Sequence, residues 1–144
     1  MDFEIRVANI SPPVGETDYR KVALKFLRAI GYLNNSDGIN SPAFRLFELF
    51  LIHPNKEWMV DELIMQLNST KATIYRHLNK LKNMDLLEEG KIGEGKRIKK
   101  TYRIRYGNIA KAWSFVEAHV KVAMDNYNET VVHLQKLLKE EVLK

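Results

Sequence analysis

The run Thr70-Lys71-Ala72-Thr73-Ile74-Tyr75-Arg76-His77-Leu78 decides how the rest of this 144-residue chain is read. Thr70 is a helix cap, and Ile74, Leu78 and Leu81 recur at i, i+4 and i+7, which predicts a helix over 71–84 with one apolar face. With Ile74 inward, a rotation of about 100° per residue turns Ala72, Arg76, Asn79 and Asn83 outward, with Thr73 and Lys80 beside them. That outer face has no large apolar residue. A guanidinium can meet guanine O6 and N7 in the major groove, an amide can pair with adenine, and a small Ala72 leaves room for a thymine methyl. Thr70 and Lys71 sit at the positive helix end, which suits a phosphate.

The charge around this helix is segregated. Residues 69–106 hold eleven Lys and Arg against four acids, a balance of +7, while the remainder of the chain holds 12 basic and 14 acidic residues. A solvated surface needs no such separation, but a polyanion site does. Much of the excess lies past a Gly93-Glu94-Gly95 turn, at Lys96, Arg97, Lys99 and Lys100. This turn joins a strand beginning at Leu86-Leu87 to a second strand over 98–104, in which Ile98, Tyr102 and Ile104 are the expected packing residues.

Upstream, Ser41 caps a helix with Pro42 at its first position, where the missing N–H costs nothing, and Pro54 ends it near His53. Phe44, Leu46, Phe47, Leu49, Phe50, Leu51 and Ile52 surround it almost completely, so a cover from beyond its local domain is expected. Val60, Leu63, Ile64 and Leu67 mark a short helix after Trp58, and Asn68-Ser69 turns the chain into helix 71–84. Three helices followed by a basic hairpin make the winged helix-turn-helix pattern. The expected fold class is therefore mainly α with a small β-hairpin.

On the residues Trp58 through Leu67, Thr70 through Leu78, and Leu81, the segment 41–106 resembles the DNA-binding domains of ArsR-like, MarR-like and TrmB-like transcriptional regulators. In that family a Ser or Thr often caps the second helix where this chain has Met59, and a Gly usually stands where it has Asp85. The first departure requires another cap; the second requires a left-handed turn at a non-glycine residue. The resemblance implies a hairpin lying along the DNA backbone or entering a minor groove.

The rest of the chain flanks this unit. Phe3, Ile5 and Val7 alternate with polar neighbours as in a short strand, and Ser11-Pro12-Pro13 breaks it. A helix then fits 18–31 with Thr17 as cap, an apolar stripe of Tyr19, Val22, Phe26 and Ile30, and a solvated basic stripe of Lys21, Lys25 and Arg28. The loop Asn34 to Asn40 is the best boundary, dividing an N-terminal extension 1–40 from the winged helix 41–106 and a C-terminal helical segment 107–144. In the last, Ile109, Trp113, Val116, Val120, Ala123, Tyr127, Leu134 and Leu137 alternate by fours and threes, with Thr130 a polar break. A continuous helix would run roughly 50 Å, more than one small domain buries, which points to a homodimer interface of Ile109, Trp113, Val116, Val120, Tyr127, Leu134 and Leu137. Asp125-Asn126-Tyr127-Asn128 is poor in helix formers, and a break there capped by Asn128 is the alternative.

Composition narrows the function class. Hydrophobic residues are 45% and charged residues 28%, ordinary for a globular chain, with a net charge of +5. Cysteine is absent, which excludes disulfides, thiolate metal sites and cysteine nucleophiles. No apolar run approaches the roughly 18 residues of a membrane span, and Met1-Asp2-Phe3-Glu4 does not begin a secretory signal, so a cytoplasmic protein is expected. The sequons at Asn68 and Asn128 are then chance. No phosphate-binding glycine loop, GxSxG or HExxH occurs, and the carboxylates are scattered, so no enzyme is expected. ArsR-like zinc sensors space their helix ligands differently from Glu117, His119, His133 and Lys136, and no metal or other cofactor is expected. No pattern identifies a small-molecule effector.

The expected function is sequence-specific recognition of double-stranded DNA by a homodimeric transcriptional regulator. Thr73 and Arg76 read bases with Ala72 and Asn79. Thr70, Lys71, Tyr75 and Lys80 seat the helix on phosphates, and Lys96, Arg97 and Lys99 anchor the wing. A two-fold dimer prefers inverted repeats about one helical turn apart. A winged helix serving protein interaction within a transcription or chromatin assembly is the alternative.

Overall fold

The computed structural model describes residues 3–144; Met1 and Asp2, which entered the reading of the N-terminus, lie outside the described residues. The element order is α1 (Tyr19–Ala29), α2 (Pro42–Ile52), β1 (Trp58–Met59), α3 (Val60–Leu67), α4 (Lys71–Asn83), β2 (Leu87–Ile92), β3 (Lys99–Ile104) and α5 (Ile109–Leu143). The three strands form one antiparallel sheet in the order β1-β3-β2. This is a winged-helix fold, mainly helical.

The Phe3–Val7 alternation makes extended chain but no strand. Its donors go to helix ends: the Glu4 N–H bonds the Asn83 carbonyl at 2.9 Å and the Arg6 N–H bonds the Ile30 carbonyl at 2.9 Å. Carbonyls in the last turn of a helix lack intrahelical partners, and this arm satisfies one on each of α4 and the α1 end. The cap of α1 is Asp18, whose carboxylate accepts the Arg20 N–H at 3.0 Å, and not Thr17. The chain leaves α1 through Gly31 at φ +86°, where an added Cβ would lie 3.0 Å from the Arg6 side chain.

Helix α2 begins as expected, with the Ser41 hydroxyl accepting the Phe44 N–H and Pro42 in the first turn. Its cover comes from its own chain. Leu27, Ile30, Tyr32 and Leu33 close over Phe44, Leu46, Phe47 and Phe50, and the same core continues through Leu63, Leu78, Ile104 and Val116. Tyr32 donates its hydroxyl to the Ala43 carbonyl at 2.6 Å, and burial pushes its phenol well above the usual value. One core therefore draws on all three segments of the chain.

The two-residue strand β1 is too short to show a period, and the sequence reading has only a hairpin. It pairs Trp58 with Tyr102 and Met59 with Thr101. The cap that Met59 cannot supply to α3 comes from Glu62, whose carboxylate accepts the Met59 N–H at 3.0 Å. This bond and Lys56 hold the Glu62 carboxyl below its usual value. Asn68 at φ +48° and Asp85 at φ +61° make the left-handed turns after α3 and α4.

Strands β2 and β3 pair from Leu87 opposite Ile104 to Ile92 opposite Lys99. Tyr102 and Ile104 are buried, but Ile98 is 49% exposed at the wing tip, because β3 begins only at Lys99. A short 3-10 turn, Gly95–Arg97, closes the tip. Gly93 is required there, since a Cβ would fall 2.4 Å from the Arg97 carbonyl oxygen.

Helix α5 is continuous for 35 residues, capped by the Asn108 side chain on the Lys111 N–H at 3.0 Å. There is no break at 125–128. Each poor helix former costs only about half a kcal/mol, and neither proline nor glycine interrupts the run. Among the described residues, no helix is long and apolar enough to cross a membrane.

Candidate nucleic-acid interface

Helix α4 is fixed from below by Ile74, Leu78 and Leu81, each with no exposed surface. Its opposite face is open: Ala72, Arg76, Asn79 and Asn83 are exposed and Thr73 is half-buried. Among the described residues the Arg76 guanidinium has no ion-pair partner. The arm at 3–10 lies at the far end of α4, bonded at Asn83, and leaves Arg76 uncovered.

Other expected contact residues are held by the chain itself. Thr70 caps α4 by accepting the Thr73 N–H at 3.2 Å, and its hydroxyl donates to Thr73 Oγ1 at 2.9 Å. The Thr73 hydroxyl is therefore oriented by the cap. Lys80 Nζ donates to the Tyr32 carbonyl at 3.0 Å, which draws its charge toward the N-terminal segment. His77 is half-buried near Tyr32, and desolvation, then the positive charge of Arg76, lowers its pKa below the usual 6.5.

The wing and the helix meet in a shallow cleft of about 210 Å³ whose walls include Lys71 and Tyr75 of α4 and Lys99 and Lys100 of β3. Lys71 Nζ stands 5.9 Å from the centre of the Tyr75 ring. Three lysines and one carboxylate, Asp61, thus border one aromatic-walled cleft, whose net positive charge suits a backbone phosphate beside an inserted helix. Lys99 is also paired with Asp61 at 3.2 Å, and both side chains are largely exposed, so an anion can compete for it cheaply. Lys91, Lys96, Arg97 and Lys100 are exposed. Lys82 is paired with Glu89 at 2.5 Å, and Arg103 with Glu88, which removes these two cations from the free positive surface. Lys100 completes the cleft; its charge placed it in the basic run, but only the β3 register puts it beside Tyr75.

The expected dimer residues divide into three groups by exposure. Val116 has no exposed surface and packs in the chain's own core, so it cannot face a second copy. Trp113 and Val120 are half-buried, with Trp113 edge-on to Phe26 at 5.3 Å. Ile109, Tyr127, Leu134 and Leu137 are exposed. Leu137 lies about 120° around the helix from Trp113, and the open apolar stripe instead runs Val120, Met124, Tyr127, Val131, Leu134 and Leu138. Among the described residues no group of three or more His, Asp or Glu side chains is placed to hold a metal ion.

No protein-family model matches the chain. No curated protein matches it either. Among solved structures it is similar to a possible transcriptional regulator from Methanosarcina mazei, at 16% identity and a TM-score of 0.49 over 80% of this chain and 87% of that one. It is also similar to a PadR-like transcription factor from Bacteroides fragilis, at 22% identity and a TM-score of 0.39 over 65% of this chain and 91% of that one. A variant of ZitR from Lactococcus lactis matches at 13% identity and a TM-score of 0.40, over 92% of this chain and 99% of that one. The winged helix itself is defined by the helix order and sheet described above.

Proposed function

We propose that this chain is a sequence-specific, double-stranded DNA-binding transcriptional regulator that acts in the cytoplasm as a homodimer, without catalysis or a cofactor. The carrying observation is that Lys71 and Tyr75 on the flank of α4 and Lys99 and Lys100 of the wing border a common cleft, while the outer face of α4, with Arg76, lies exposed beside it and the chain's own arm bonds the far end of the helix at Asn83. Arg76 reads a base edge in the major groove, with Asn79, Ala72 and Thr73 beside it. Thr70, Lys71 and Tyr75 seat the helix, and Lys80 joins them once released from the Tyr32 carbonyl. Lys96, Arg97, Lys99 and Lys100 lie on the backbone or reach a minor groove. The exposed stripe of α5 forms the dimer.

Selection of bound fragments from random duplex DNA tests this reading. The expected product is an inverted repeat whose half-sites lie one turn, or a whole multiple of a turn, apart. Recovery of no enriched sequence would leave the winged helix as a protein-interaction module.

A further inference from the structure

Two apolar surfaces on this chain lie open and face the same way. The first is a groove of about 730 Å³ between the N-terminal arm, α1, α2 and the start of α5, with Pro13, Val22, Phe26, Leu51, Ile109 and Trp113 among its walls. The second is the distal half of α5. From Met124 onward every residue is exposed, including Tyr127, Val131, Leu134, Leu138 and Val142. At about 100° per residue, Trp113 and this stripe occupy one side of the helix, so the groove continues directly into the stripe. The chain cannot satisfy one with the other. Helix α5 is unbroken, and its tip lies about 45 Å beyond Trp113 at 1.5 Å per residue.

The stripe is its own complement when reversed, except at Leu134, which falls opposite Glu117. Mirrored about the Asp125–Asn126 peptide, Met124 falls opposite Tyr127, Val120 opposite Val131, Trp113 opposite Leu138, and Ile109 opposite Val142. We infer, on the homodimer reading above, that two copies pair their α5 helices antiparallel in this register, each placing Leu138 and Val142 in the groove of the other. A side of helix some 50 Å long and about 10 Å across offers on the order of 500 Å². Filling both grooves brings the contact toward the roughly 800 Å² per partner of a stable interface. A parallel pair would also match apolar to apolar, but it would leave both grooves empty and align the two helix dipoles unfavourably.

The absence of cysteine makes the register directly readable. The double variant Ile109→Cys/Val142→Cys is oxidised mildly and its disulfides are mapped by peptide mass spectrometry. Within one chain these positions are about 50 Å apart, so any link joins two copies. The expected product is a covalent dimer linked 109 to 142. Val120→Cys/Val131→Cys, expected to link 120 to 131, provides the same readout if the groove variant folds poorly. A dimer by sedimentation linked 142 to 142, or 131 to 131, overturns the antiparallel register while the homodimer stands. A dimer with no link at either pair also overturns it. A monomer overturns both the register and the homodimer.

Discussion

His119 on α5 and Asp85 in the left-handed turn after α4 meet at 2.5 Å, Nδ1 to carboxylate. Asp85 is only 3% exposed, its backbone carbonyl accepts Arg105 Nε at 2.8 Å, and Phe3 stacks on the His119 ring with centroids 4.0 Å apart. The end of α4, the arm and α5 are thus tied at one point. Replacing His119 by Ala removes a partner from a buried carboxylate, and a loss of about 2 kcal/mol is expected in urea unfolding. His133→Ala, on an exposed site of the same helix, should change stability by no more than about 0.5 kcal/mol. Equal effects of the two would deny the tie any structural weight.

Glu62 supplies the cap that Met59 lacks. Glu62→Ala should cost about 1 kcal/mol, as loss of a helix cap does. The Glu62 carboxyl is depressed below its usual 4.5 in the folded chain. The stability it contributes is therefore complete above 4.5 and lost as pH falls through that value to the folded one. Denaturant unfolding of wild type and variant should converge in acid; a difference that persisted below both values would contradict the assignment.

His77 shifts in the same direction as Glu62 for the opposite reason, because here the fold disfavours the charged form. Half-burial and the charge of Arg76 depress its pKa below the ordinary 6.5, so the unfolded chain takes up the proton first. Stability should fall as pH is lowered through 6.5, and His77→Gln should flatten that portion of the profile. An unchanged slope in the variant would assign the pH dependence to other groups.

The proposed function gives Arg76 and Lys96 different tasks. Arg76→Ala should weaken binding to the preferred duplex by about 1–3 kcal/mol and relax discrimination at one base pair. Lys96→Ala should weaken all duplexes alike and reduce the salt slope by about 1. Fluorescence anisotropy against a matched and a scrambled duplex separates the two; uniform loss from both would end the division of labour.

Much of this was legible in the residues. The spacing of Ile74, Leu78 and Leu81 and the Thr70 cap fixed α4, and the glycines around Glu94 fixed the wing, because both signals are local. Three features depend on tertiary contact and left no local trace. The arm at Phe3–Val7 has the alternation of a strand, but its donors bond helix ends, and only the packed structure supplies those carbonyls. Val116 falls on the same period as its neighbours, and burial beneath its own domain separates it from the exposed stripe. Lys80 belongs to the outer face by angle, yet its flexible stem reaches the Tyr32 carbonyl 48 positions away.

The central claim is that the α4 face and the wing engage a polyanion. It is tested most directly by duplex affinity measured across roughly 50 to 200 mM salt. With about five or six phosphates neutralised, the logarithm of affinity should fall with the logarithm of salt at a slope near −5. Absence of duplex binding at the lowest salt would contradict the account.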